Sequence, residues 1–475
     1  MRISIFILLC LIPVISQADV LTVRGFLETL VDEHPHLESR NQRFRLNVLN
    51  AAQRTTQYGV TVSLYGTSST GVLHSEDRET IFSRDIGMKF NAVEAHTGLR
   101  FSLTPRLNYI RRSGTSTMYD ASLTSYENYQ MNRNTVDVNA TLPLVRNMFG
   151  SNDRRNLRIY NNSIQTYDLD RMEHIEQFLL KHIRIYLDWN QRYRLRDNTE
   201  EFQSLLETIA KSTSSAFTTP LDMARIAELS SFLTQEQRVH QTEYNSIAKH
   251  IKVLTGLEET SEITPQYRKT GDIPTLSYSE EDLRNVREMQ EAELTIDSAE
   301  LVNRKAANEK LPGVFLEVQA NLHTRSSPAE SYDQDSRFIG LRFDYALMDA
   351  SANNRLDHSE AALLYGKSEA ESLLLEKTIQ YKTTKSKLDD YQQLLAKADD
   401  RVIKATELLE IEMKNTTVSG SSSHTLVEAF IAAYYAQKER IKIEFDRRHV
   451  YLDYLDIFDR VYDEADGQSN ILIEM

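Results

Sequence analysis

Six stretches of the chain alternate strictly between apolar and polar positions. Val60, Val62 and Leu64 alternate with Thr61 and Ser63, and Ile86, Met88 and Phe90 with Gly87 and Lys89. Leu99, Phe101, Leu103, Leu107 and Tyr109 share one parity against Arg100, Ser102, Arg106 and Asn108. Val136, Val138, Ala140 and Leu142 oppose Asp137, Asn139 and Thr141. Further on, Val314, Leu316, Val318, Ala320 and Leu322 oppose Glu317, Gln319, Asn321 and His323, and Ile339, Leu341, Phe343 and Tyr345 oppose Gly340, Arg342 and Asp344. A period of two puts every second side chain on the same side of an extended strand, so each stretch predicts a strand with one apolar and one polar face. Between them the period changes. Ile175, Phe178, Leu179, Ile183, Tyr186 and Trp189 recur at three- and four-residue steps, the spacing of an amphipathic helix. Residues 151–213 contain neither Gly nor Pro, and residues 351–417 contain only Gly366. A helix of about 60 residues rises about 90 Å. That exceeds any compact domain and predicts rods packed in coiled-coil fashion.

The pattern occurs twice. A helical segment leads into strands, a long helical segment follows, and a turn of small residues sends a second helix back. The first repeat spans 19–257, with strands at about 58–142, the long helix at about 151–213 and the returning helix at about 221–254. The second spans 279–462, with strands at about 313–346 and helices at about 351–417 and 425–462. A connector, 258–278, holds Pro265, Gly271 and Pro274, and 463–475 reads as a tail. The strand region of the first repeat is long enough to hold one more hairpin than the second. Polar connections at 67–80, 111–132 and 324–336 read as long loops, and 94–98 reads as a tight turn.

The first 18 residues carry Arg2, an apolar run from Ile3 to Ile15 and small residues before the end of Ala18, the signature of a cleaved secretory signal. Cys10, the sole cysteine, lies within it. No later stretch is apolar and long enough to cross a bilayer as a helix, so a membrane crossing has to be made by strands. Two-faced strands joined by alternating long loops and short turns are the pattern of an outer-membrane barrel, with lipid outside and water within. Six strands are too few to enclose a channel, so several copies have to share one barrel in a cyclic homo-oligomer. The formal net charge of −14 repels nucleic acid.

Local motifs add a resemblance. The exit from the strands, Leu142-Pro143-Leu144-Val145-Arg146-Asn147-Met148-Phe149-Gly150, the entry Ala306-Ala307-Asn308-Glu309-Lys310-Leu311-Pro312 and the helical Ile185-Tyr186-Leu187-Asp188-Trp189 resemble the TolC-like outer-membrane efflux and secretion family. So do Leu221-Asp222-Met223-Ala224-Arg225 and Thr425-Leu426-Val427-Glu428-Ala429 after the two turns. The resemblance implies an α+β membrane protein: a homotrimeric outer-membrane β-barrel continuous with a long periplasmic α-helical barrel, two internal repeats per chain. It implies passive export from a Gram-negative-type cell, either multidrug efflux or type I secretion. The partners would be outer-membrane lipid, a periplasmic adaptor and an inner-membrane ABC or proton-driven transporter. The family usually has two strands per repeat; here the first repeat has room for four. Either six strands enter the barrel or a hairpin lies outside it, and the alternation favours six.

The resemblance also nominates a channel gate. Asp222 and Glu428 match acidic residues at the narrow periplasmic tip, where symmetry would make each a ring that favours cations. Equally, Asp222 would serve as a helix cap and Glu428 as a solvated helix residue. The second turn, Gly420 to Ser423, lacks the basic residue often found there. Trp189, the only tryptophan, reads as core packing, and Tyr58, Tyr65, Tyr109 and Tyr345 sit where interface girdles form. His34 and His36 flank Pro35 with no carboxylate or cysteine at ligand spacing, and no catalytic motif is present, so no metal, cofactor or enzyme is expected. The rival reading is a non-channel periplasmic or surface coiled-coil scaffold protein that is soluble without detergent.

Overall fold

A computed structural model of the protein describes residues 19–73, 79–113, 129–213, 220–266, 278–326, 331–345, 350–419, 423–465 and 468–471. The segment read as a signal, 1–18, and most of both turn tips lie outside the described residues. The chain runs β1 (Asp19–Leu21), α1 (Val23–Glu33), α2 (Pro35–Thr55), β2 (Gly59–Leu73), β3 (Glu79–Val93), β4 (Arg100–Ser113) and β5 (Tyr129–Pro143). It continues through α3 (Ser151–Thr213), α4 (Pro220–Leu254), β6 (Ile263–Pro265), α5 (Arg287–Glu309), β7 (Gly313–Ser326) and β8 (Ser331–Asp344). Last come α6 (Ala350–Ser419), α7 (Ser423–Ile457), β9 (Tyr462–Ala465) and β10 (Gln468–Ile471). Two compact units divide it: a strand unit, Phe44–Asp168 with Glu291–Glu371, and a helical unit made of the remainder.

In the strand unit, six strands form one antiparallel sheet in the order β2-β3-β4-β5-β7-β8. The added hairpin therefore belongs to the same sheet as the other four strands. The strands reach further than their apolar alternation. The segments read as loops at 67–80, 111–132 and 324–336 shorten, because β2 runs to Leu73, β3 starts at Glu79, β4 runs to Ser113 and β5 starts at Tyr129. Likewise β7 runs to Ser326 and β8 starts at Ser331. Thr67-Ser68-Ser69-Thr70 pairs with Asp85-Arg84-Ser83-Phe82 though it shows no alternation. Backbone hydrogen bonds pair strands whether or not either face is apolar.

The tight turn after β3 is built by Glu94. Its carboxylate accepts from the backbone N–H of His96 (2.8 Å) and Thr97 (2.6 Å). Gly98 follows with φ +70°, and it abuts Gly150, itself at φ +71°. A Cβ on Gly150 would overlap the backbone of Ala95 and Gly98. The exit motif ending at Gly150 is thus locked against this turn, and Arg154 donates to the carbonyls of both His96 and Phe149.

The helical unit buries its apolar side chains in two clusters. The larger gathers Phe26, Leu30, Leu179, Ile183, Tyr186, Trp189, Phe445 and Leu452, and the smaller gathers Leu206, Leu233, Phe430 and Tyr434. Trp189 is fully buried, stacked on Tyr244 at 5.8 Å and edge-on to Tyr186. The connector is not wholly irregular, because β6 pairs in parallel with β1. Tyr186 ties that pair to α3: its hydroxyl donates to Leu21 O (2.7 Å) and accepts from Gln266 N (3.1 Å). Nor is 463–475 simply a tail, since β9 and β10 form an antiparallel pair. Below the larger cluster, Arg287 lies among Glu173, Glu176 and Asp459, and the Val461 N–H donates to Glu176 at 3.0 Å.

Candidate functional site

The register places all the apolar parities on one side of the sheet. Val62 faces Phe90, Phe90 faces Leu103, Leu103 faces Val138, Val138 faces Ala320, and Val318 faces Ile339. Directly opposite residues share a face, so the apolar surface runs unbroken across six strands. It is exposed in the single chain, with Val60, Leu64, Ile339 and Phe343 each more than two-thirds accessible. An exposed apolar patch of this extent marks a surface that water does not cover in the working molecule.

The other face is polar. One register row runs Tyr65, Gly87, Arg106, Thr135, His323. Tyr65 lies flat over Gly87, where any Cβ would strike its ring, and the Arg106 guanidinium sits 5.9 Å from that ring. Toward the helix junctions Glu317 and Arg342 form an ion pair at 2.7 Å, with Arg342 4.7 Å over the Phe315 ring. The sheet thus has aliphatic residues on one face and charges, amides and hydroxyls on the other.

The two edges of the sheet are β2 and β8. Each is 14 or 15 residues long, and neither contains a proline. Natural edge strands are shortened, bulged or blocked by Pro or Lys when they must not pair. Neither holds a lysine, while β8 carries Arg337, Arg342 and Asp344.

At the helical tip, Glu428 is exposed on the first turns of α7, where His424 approaches it at 3.3 Å. Both line a cavity of about 450 Å³ with Arg225, Glu228, Phe232 and Tyr435. Asp222 falls in the first turn of α4, and its side chain lies outside the described residues. Sequence reasoning passed over Arg225, Glu228 and His424, which share the cavity with Glu428. Arg225 brings a positive charge to the cavity at the start of α7. The tip is therefore mixed in charge among the described residues, not uniformly acidic.

Deeper in the same unit, Glu236 joins α4 to α7. It accepts from Tyr434 (3.2 Å) and pairs with Lys438. Burial alone would raise the Glu236 carboxyl, but the Lys438 contact and the Tyr434 bond outweigh it and hold it below the usual range. His240, buried beside Glu236 and Glu243, is pushed down by burial and then by Lys438.

No protein-family model and no curated protein matches the chain by sequence. Solved structures do match in three dimensions. The outer-membrane channel OprN aligns at 12 % identity and TM-score 0.61 over 92 % of this chain and 89 % of that one. The outer-membrane protein VceC of Vibrio cholerae aligns at 11 % identity and TM-score 0.61, over 92 % and 96 % of the two chains. The MtrE outer-membrane channel of Neisseria gonorrhoeae, in its open state, aligns at 10 % identity and TM-score 0.63, over 92 % and 88 %. These alignments span long helices and strand region alike, and the chain has the fold of the TolC-like outer-membrane channels.

Proposed function

We propose that the protein is an outer-membrane channel subunit and that three copies pool their sheets into one barrel. The observation that carries this is the pair of long open edges, β2 and β8, flanking a sheet whose apolar face is exposed. In an antiparallel sheet with an even number of strands the two edges run in opposite directions. The β8 edge of one copy is then oriented to pair antiparallel with β2 of the next, all the way round a closed ring. Closure removes the edges, turns the apolar face to lipid and leaves the row containing Tyr65, Arg106 and His323 in the lumen.

Three six-stranded sheets make a wall of eighteen strands. Barrel diameter grows nearly in proportion to strand number, and single-chain barrels of 16–18 strands enclose open aqueous channels. Against the twelve strands implied by two per repeat, the lumen is about one and a half times as wide. The helical unit forms the periplasmic tunnel, with Glu428 and Asp222 contributing to its tip. Cargo reaches it from an inner-membrane transporter, ABC or proton-driven, through a periplasmic adaptor, for efflux or type I secretion. The channel itself is passive.

Fractionation and planar-bilayer recording test this. The mature protein is expected with the outer membrane, extracted only by detergent, and to give steps of conductance larger than those of a twelve-stranded trimer. E428Q is expected to lower the preference for cations. A detergent-free soluble protein that gives no conductance would leave only the scaffold reading.

A further inference from the structure

The apolar face ends, on the side of the sheet away from the helix junctions, in a group of residues that lipid tails do not explain. Arg84 on β3 stands directly opposite Tyr109 on β4, and the next same-face pair is Phe82 opposite Arg111. The two arginines are thus diagonal neighbours, about 7–8 Å apart at the backbone. The Arg84 guanidinium lies 4.9 Å over the Phe82 ring, and Phe82 meets Tyr109 edge-on at 6.4 Å. Asn132 and Asn134 of β5 and Thr324 of β7 complete the wall of a cavity on this face.

Its charge is one-sided. The parity that carries Ile86 and Leu107 places Phe82 and Arg84 on β3, Tyr109 and Arg111 on β4, and Asn132 and Asn134 on β5. Among the described residues of these three strands none on this face is a carboxylate, and Asp85 belongs to the opposite parity. Among the described residues neither Arg84 nor Arg111 has an ion-pair partner, and both are exposed. Two exposed guanidiniums beside an apolar band are placed to meet an anion that approaches from the lipid side. Arg presents parallel donors that match phosphate oxygens, and the flanking aromatic rings and amides suit the level where headgroups begin.

We propose that Arg84 and Arg111 form an outward-facing site for a phosphorylated lipid headgroup at the outer rim of the barrel. Phe82 and Tyr109 pack the sugar or glycerol portion, and Asn132 and Asn134 donate to its oxygens. The site rests on the channel reading, since only an apolar face turned to lipid brings a headgroup there. It would retain phosphorylated lipid of the outer leaflet at each subunit.

The purified oligomer is reconstituted into phosphatidylcholine vesicles with and without a small fraction of diphosphorylated lipid A, and co-flotation first scores insertion. Lipid retained through detergent exchange is then counted by native mass spectrometry. Wild type is expected to keep the diphosphorylated lipid and not its dephosphorylated form. Retention should fall about fivefold for each of R84Q and R111Q. R106Q, on the other face of the same strand, is expected to leave retention unchanged, and inorganic phosphate is expected not to compete. Equal retention in the double variant, equal retention of dephosphorylated lipid, or displacement by inorganic phosphate each overturns the site. Failure to co-float overturns the channel reading instead.

Discussion

Leu64 of β2 and Leu187 of α3 carry the same side chain to opposite ends of the exposure scale, 78 % accessible against 1 %. The contrast holds between the helical core and the sheet. In the helical unit Phe26, Leu30, Trp189 and Phe445 are buried in clusters, although Val253, Leu375, Ile379 and Ile411 stay exposed in the single chain. In the strand unit Val60, Ile86, Ile339 and Phe343 stand outward, and Arg106, Asp137 and Glu317 lie on the reverse side. One sequence rule, apolar residues at a regular period, produces both. What differs is what each apolar face meets: its own neighbours in the helical clusters and, on the proposed reading, lipid in the strand unit.

Substitutions sharpen that contrast. The largest loss is expected inside the helical unit. Arg287→Met leaves Glu176 buried without its cation, and breaking such a pair costs about 3–5 kcal/mol; chemical denaturation of the solubilised protein measures it. Next comes Leu341→Arg on the exposed apolar face. In a bilayer it is expected to cost about 2–4 kcal/mol if it sits near the midplane, read as a drop in folded, membrane-inserted protein. If that face met water, the same change would fall within about 0.5 kcal/mol, and the contrast between the units would break. Gly150→Ala forces a side chain into backbone at positive φ. A cost of about 1–3 kcal/mol is expected, seen as earlier thermal unfolding with the spectral content of the helices retained.

The smallest effect concerns acidity. Burial, then the Glu173 charge, pushes Asp456 up to about 6. A carboxyl whose folded value exceeds its unfolded one contributes stability that is fully present below about pH 4 and lost as pH rises through about 6. Asp456→Asn keeps an acceptor for Gln177, which donates to Asp456 at 2.9 Å. It is expected to flatten stability between pH 4 and 6 and to raise it at neutral pH. An unchanged pH profile would show that Asp456 ionises without penalty.

The six alternating segments were legible because a strand with unlike solvents on its faces has to write the difference at every second residue. The long helices were legible through the missing Gly and Pro of residues 151–213. Strand extensions such as Thr67 to Leu73 were not, because polar residues on both faces leave no period. The β1–β6 and β9–β10 pairs are three or four residues each, too short to carry a pattern. At the tip, Glu428 could be singled out by its position after a turn. Its neighbours Arg225 and Glu228 come from another helix, and only folding brings them to the same cavity. The Arg287 cluster was hidden for the same reason: Asp459, which accepts from the Arg287 N–H, lies 172 residues further along the chain.

The decisive measurement is a disulfide scan between the two edges of the sheet. Mature chains lacking residues 1–18 carry no native thiol, since Cys10 is the only cysteine. Single cysteines stepped along β2 from Val60 to Gly66 are combined with cysteines along β8 from Arg337 to Phe343, and oxidised in outer membranes. Crosslinks at a fixed register, made only between different chains and closing to a three-chain band, are what a shared barrel requires. Links within one chain, or none at any register, would contradict it.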